Sequence, residues 1–287
     1  MNSDAGKITV VPAIEVTEGG GVRVRRTIGS PNLRNLDPFL LLDQIGSDDP
    51  EAYIAGFPSH PHRGFITFTY MIDGDMEHRD SMGNTGRLGP GGAQWMKAAS
   101  GVIHSEMPRQ EEGLLRGFQL WINLPAANKM DEPEYQEYRA AHFPVITEAG
   151  FTIKVLIGQY AGTVSPIQDE ATQVQFLDVQ IDAGKTFKYD LIDRTNTFLY
   201  LFEGSGELEG KSVSSYDLAH IQSASGTAEF TAGSEVARFL LVSGKPIGEP
   251  VVQYGPFVMN TSEEIHQAMS DLQSNNLVRG RAVVNRD

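Results

Sequence analysis

Cysteine is absent from the 287-residue chain. Disulfides, thiolate metal sites and a cysteine nucleophile are excluded with it. A metal bound here must be held by imidazole and carboxylate. Positive charge is also scarce: 23 basic side chains stand against 37 acidic ones, a formal charge of −14. Such a surface repels phosphate backbones and anionic lipid, so direct contact with nucleic acid or membrane is not expected. No apolar run approaches the length of a membrane span. The first residues, MNSDAGKITVVPAIEV, have neither the basic start nor the apolar core of a signal peptide, and a cytoplasmic location is expected.

What the chain does have is many short apolar runs, punctuated by 30 glycines and 15 prolines. FLLLD (39–43), ITFTYMI (66–72), AQWM (93–96), VIHSEM (102–107) and GFQLWINL (117–124) occupy the first half. FTIKVLI (151–157), VQFLDVQI (174–181), TFLYLF (197–202), DLAHI (217–221), GTAEF (226–230) and ARFLLV (237–242) occupy the second. Runs of this length, rich in β-branched and aromatic residues and bounded by turn formers, predict antiparallel sandwiches or barrels. The halves also echo each other. FTYMIDGDMEH (68–78) and FLYLFEGSGEL (198–208) each carry a strand into an acid-Gly turn and a second strand, which suggests two copies of one β domain. The polar stretch PAANKMDEPEYQEY (125–138) is the expected linker. Thr261 and Glu264 have capping-box spacing, and Ile265, Ala268, Met269 and Leu272 follow at helical intervals, so a C-terminal helix is expected there.

Two pairs of residues carry chemistry. His60 and His62 flank Pro61 in FPSHPHRGF, and side chains two apart on a strand share a face. Proline biases the preceding residue toward extended backbone and favours a strand start or edge. His104 and Glu106 in GVIHSEMP have the same spacing. On neighbouring strands the pairs would bring three imidazoles and a carboxylate together. Such a set binds a divalent first-row metal and leaves two positions of an octahedral shell open. That suits Fe(II), with Mn, Ni, Cu and Zn as competitors. The other histidines lack such partners: His78 is expected to face solvent or bond locally, His142 lies near the linker, His220 packs, and His266 is on the helix.

At these residues the sequence resembles the pirin family. The resemblance runs through VRVRRTIGSPNLRNLDPFLLLD, HPHRGF, DGDMEHRDSMGNTGRLGPGG, SGVIHSEMP, GFQLWINLP and GPFVMNTSEEIHQA. It implies an all-β fold of two cupin-type antiparallel β-barrels with a short C-terminal helix. Residues 1–130 would form the metal-binding barrel, and 131–287 a barrel without a metal. Carried over position by position, it implies iron held by His60, His62, His104 and Glu106. One departure is visible: cupins place a glutamate four residues after the second histidine, where this chain has Ile66. The expected consequence is loss of a polar contact behind the ligands.

The resemblance implies two functions of different kinds. One is a dioxygenase that opens a flavonol such as quercetin with O2, Glu106 taking the proton of the 3-hydroxyl; another small phenol or enol is a blander substrate. The other is a redox-sensitive regulator that binds transcription factors or metabolic enzymes as a protein partner.

Overall fold

The computed structural model describes residues 8–193, 195–222, 225–279 and 284–285. Each apolar run named above falls on a strand to within one residue, and the one α-helix among the described residues is Ser262–Gln273. Among the described residues no helix is long and apolar enough to cross a membrane. The strands assemble into two compact units that interleave along the chain. One gathers described residues of Glu15–Gly29, Phe39–His142 and Ile247–Asp287; the other those of Met1–Ile14, Ser30–Pro38 and Phe143–Pro246. These differ from contiguous 1–130 and 131–287 halves. The strand Ile8–Pro12 pairs with Asp217–Ile221, and the C-terminal helix belongs with the unit that bears the paired histidines.

Each unit is built from a large and a small sheet, and neither closes into the barrel that was expected. In the histidine unit the large sheet runs Val22–Arg26, Phe39–Ser47, Leu115–Asn123, Phe65–Asp73, Ala93–Lys97, Glu134–Tyr138, with short strands at both edges. Its small sheet runs Phe57–His62, Val102–Pro108, Met76–Asp80, Thr85–Leu88. The other unit repeats this order. Its large sheet is Phe151–Ile157, Gln175–Ile181, Ala237–Gly244, Asn196–Glu203, Asp217–Ile221, Ile8–Pro12, with one further edge strand; its small sheet is Thr186–Asp190, Thr227–Ala232, Ser205–Leu208, Lys211–Ser214. The internal echo in the sequence is this shared topology. Gly74 and Gly204 make equivalent turns, at φ of 82° and 78°, a region that glycine enters without a Cβ clash.

The expected linker is partly structured. Glu134–Tyr138 is a strand that pairs with Ala93–Lys97 and completes the large sheet. Pro61 sits where the sequence suggested, on the edge strand of the small sheet. The helix carries its capping box at Thr261 and Glu264 and buries Ile265 and Ala268. Leu272 is 37% exposed, whereas Asp271 beside it is buried.

What fills each unit decides where chemistry can occur. In the unit without the paired histidines, Phe187, Tyr189, Ala228 and Phe230 of the small sheet meet Leu177, Val179, Leu199, Leu201 and Phe239 of the large one. In the histidine unit an apolar cluster of Val22, Val24, Ile45, Met71, Met76 and Leu115 is confined to one end. Two residues along the same strand faces, the chain substitutes Arg26, Asp43 and Thr69. Hydrocarbon gives way there to polar groups that need partners.

Candidate metal centre

Three neighbouring strands of the small sheet present the site. His60 on Phe57–His62 lies directly opposite His104 on Val102–Pro108, and His62 lies opposite Val102. Antiparallel pairing with a two-residue side-chain period therefore points all three imidazoles to one side. Ring centroids are 4.3 Å apart for His60 and His104, 4.7 Å for His60 and His62, and 4.9 Å for His62 and His104. One nitrogen from each ring lies within 4.8 Å of one nitrogen from each of the others.

These imidazoles lack ordinary partners. His62 and His104 are 2% and 1% exposed. Neither nitrogen of His62, nor Nε2 of His104, has a hydrogen-bond partner among the described residues. Burial first, then the neighbouring imidazoles, pushes both well below the ordinary histidine range; for His62 the nearby Pro256 carbonyl opposes the shift. Both rings are therefore neutral near pH 7, each with a lone pair to offer. The half-buried His60 has its Nδ1 2.8 Å from the Pro58 carbonyl. A carbonyl can only accept, so Nδ1 donates and Nε2 is left to coordinate. Buried polar atoms without partners are costly and rare. A metal ion is the group whose chemistry fits three such nitrogens.

Glu106 sits next to this trio and is held differently. Its Oε1 accepts from Thr69 Oγ1 at 3.1 Å and its Oε2 from Gln119 Nε2 at 2.9 Å. The pairing shifts between His104 and Glu106, so Glu106 faces Phe57 and not Pro58. That irregularity, and its position on the side of His104 away from His62, put its carboxylate in a second close group with His104 and His78. His104 belongs to both groups.

Of the two expectations for His78 the local bond holds and the solvent-facing one does not; its place beside the ligands was not anticipated. It is 1% exposed and stands opposite Glu106 on the next strand. Its Nε2 is 3.3 Å from Asp80 Oδ2 and its Nδ1 is 3.4 Å from His104 Nδ1. Asp80 is itself fixed by the Asn84 amide and by the Met82 and Asn84 backbone N–H groups. A carboxylate accepts, so His78 donates from Nε2, leaving its Nδ1 to accept from His104. That fixes His104 with Nε2 toward the trio. The sequence signal was available: His78 and Asp80 have the same two-residue spacing as the other pairs. Replacing His78 by Phe is expected to keep the fold and weaken metal binding about 10–100-fold, the usual effect of losing a group that orients a ligand. Competition with a chelator measures this.

Two of the trio, His60 and His62, open on a cavity of about 620 Å³. His60, His62, Trp121, Leu41 and Phe57 line it, together with Glu18, Arg26, Asp43 and Gln119. The volume lies in the range of small-molecule sites.

Likeness to known proteins bears on the family and the fold. Residues 21–122 match the family model described as Pirin, and 176–278 match the Pirin C-terminal cupin domain. A Pseudomonas aeruginosa protein named "Putative quercetin 2,3-dioxygenase" is 45% identical over 261 residues, 89% of this chain and 92% of that protein. The chain belongs to the pirin family. Human pirin is 38% identical over 274 residues, covering 93% of this chain and 92% of its own length. The crystal structure of a quercetin 2,3-dioxygenase from Acinetobacter baumannii superimposes with a TM-score of 0.87 at 30% identity, covering 94% of this chain and 98% of that one. The all-β fold is thus of the cupin type.

For this pirin, Ile66 costs the site less than expected. It shares its strand face with Phe68 and Tyr70, opposite the face of Thr67 and Thr69, so it points away from the cluster. The polar contact behind Glu106 comes instead from Thr69 and Gln119. Of the remaining histidines, His142 accepts from the Arg139 N–H in a short turn, His266 is exposed on the helix, and His220 packs half-buried on its strand. Among the described residues of the other unit no donor group of three converges.

Proposed function

We propose that the chain is a metal-dependent dioxygenase that opens a flavonol such as quercetin with O2. It would use one non-haem metal held by His60, His62, His104 and Glu106, with Fe(II) the metal this donor set suits first. The observation that carries the reading is the set of partnerless buried imidazole nitrogens at the wall of a substrate-sized cavity. The names borne by its relatives support the substrate class.

A bound metal would supply the O2 chemistry that no side chain provides. The protein supplies the rest. His60 and His104 are pre-oriented by Pro58 and His78, which leaves the Nε2 of each free for the metal. Glu106 takes the proton of the flavonol 3-hydroxyl. Its oxygens each accept one hydrogen bond and keep a lone pair for that proton. Trp121, Leu41 and Phe57 give a flat ring system apolar walls and keep water from the reacting carbons. The net reaction inserts both oxygen atoms of O2 and releases carbon monoxide as the central ring opens.

The test is loss of flavonol absorbance in air by protein loaded in turn with Fe, Mn, Ni and Cu. Turnover is expected with at least one metal, and no turnover with any of them removes this substrate class. Glu106→Gln keeps the shape but not the base, and should lower kcat/KM about a hundredfold or more.

A further inference from the structure

The same cavity has a charged wall that the metal chemistry does not use. Arg26 donates to Asp43 from Nε at 2.7 Å and from Nη2 at 2.6 Å, and its Nη2 is also 2.8 Å from Glu18. All three residues line the cavity. Asp43 is 7% exposed, with both oxygens held by Arg26, whereas the Glu18 side chain is 40% exposed. Arg26 Nη1 has no partner among the described residues.

The cluster lies in register with the metal centre. Arg26 pairs with Asp43, Asp43 with Gln119, and Gln119 with Thr69, all across one sheet face. Gln119 and Thr69 are the residues that hold Glu106. Arg26 is two strand spacings from Gln119, roughly 10 Å at the usual separation. One flat molecule of three rings can therefore touch both ends. Placing two carboxylates and a guanidinium in a cavity wall, where unit symmetry puts hydrocarbon in the other unit, is costly unless something uses them.

We propose that Glu18, Arg26 and Asp43 form a subsite that binds phenolic hydroxyl groups at the end of the substrate remote from the metal. The inference rests on the flavonol reading and refines it to flavonols hydroxylated on the pendant ring. The chemistry selects this class. Two acids against one base leave the cluster negative, which repels carboxylate and phosphate ligands. A phenol is neutral; it donates its O–H to a carboxylate and accepts from Arg26 Nη1. Two adjacent hydroxyls satisfy both acids at once. Burial lifts the Asp43 carboxyl to about 6 against the pull of Arg26, making it a stronger hydrogen-bond acceptor than an exposed aspartate.

The experiment is calorimetric binding of quercetin and of galangin, which lacks the pendant-ring hydroxyls, to metal-loaded protein without O2 and to metal-free protein. Wild type is expected to bind quercetin about tenfold more tightly in both forms. In Asp43→Leu the ratio should fall below about twofold. Circular dichroism checks its fold, and Glu18→Ala, at the exposed end of the cluster, should lower the ratio even if Asp43→Leu does not fold. Equal affinities in wild type, or a ratio kept in both folded variants, overturns the subsite. Turnover assays run alongside separate the two ideas. A selective subsite with no turnover of either compound sinks the dioxygenase and leaves the subsite standing; turnover of both with equal binding does the reverse.

Discussion

His104→Ala is expected to leave the protein folded but with less than about a tenth of an equivalent of metal after purification, and with no measurable flavonol turnover. His104 is the residue whose loss does most, because it is common to both close groups of donors. It faces His60 across the ladder, packs against His62, and receives the orienting contact from His78. Alanine leaves His60, His62 and Glu106, but the Glu106 carboxylate closes with His104 and not with the other two imidazoles, so three donors no longer converge to hold a first-row metal against buffer. The effect can be read without activity. An ion that binds only the folded state stabilises it by about 2.7 kcal/mol at a hundred times its Kd. Wild type should therefore melt at higher temperature when Fe(II) or Ni(II) is added, and His104→Ala should not. An equal shift in both would mean that the ion binds elsewhere.

The imidazole trio was legible in the sequence because strand geometry has a period of two, and HxH and SGVIHSEMP both obey it. Register made it real: His60 falls opposite His104. The Glu106 placement was not legible to the same degree, because the shift after His104 depends on how two strands pair and not on either alone. The same limit hid the Arg26–Asp43–Gln119–Thr69 row. Its members come from four segments, and each alone looks like an isolated polar residue in an apolar run. His78 did have a spacing signal, but its closeness to the Asp73-Gly74 turn argued for exposure or a local bond, not for a place beside the ligands. The strand order of each unit was implicit in the internal echo. The interleaving was not, since nothing local in Ile8–Pro12 says that its partner lies at Asp217–Ile221.

The helix raises a second large expectation. Sequence periodicity placed Leu272 on its buried face, yet the structure buries Asp271, and the reason is Arg63. That side chain is 1% exposed and directly follows His62 of the candidate metal site. Its Nε donates to the Ser100 carbonyl at 2.6 Å, Nη1 to Asp271 Oδ2 at 2.8 Å, and Nη2 to the Leu277 carbonyl at 3.5 Å. Asp271 also accepts from Gln267 and Arg279. The pair ties the helix to the strand end that carries His62. Asp271→Leu removes the only negative charge among the described residues that faces the buried guanidinium, and is expected to cost about 3–5 kcal/mol in denaturant unfolding. That is a large part of the roughly 5–15 kcal/mol that holds a typical domain. Replacing both charges, as Arg63→Met with Asp271→Leu, should recover most of the loss, because no buried charge is then left unpaired; Arg279, the other partner of Asp271, is half exposed to water. A double variant no better than the single would show that packing, not charge, makes the link. The pH dependence has a definite sign. The Arg63 hydrogen bond, first among several causes, holds the Asp271 carboxyl below its ordinary range. Its stabilisation is therefore fully present above about pH 4, the unfolded value, and is lost as pH falls through the lower folded one. Wild type should lose stability over that acid range more steeply than Asp271→Leu, and because His62 adjoins Arg63, the single variant should also release its metal more readily.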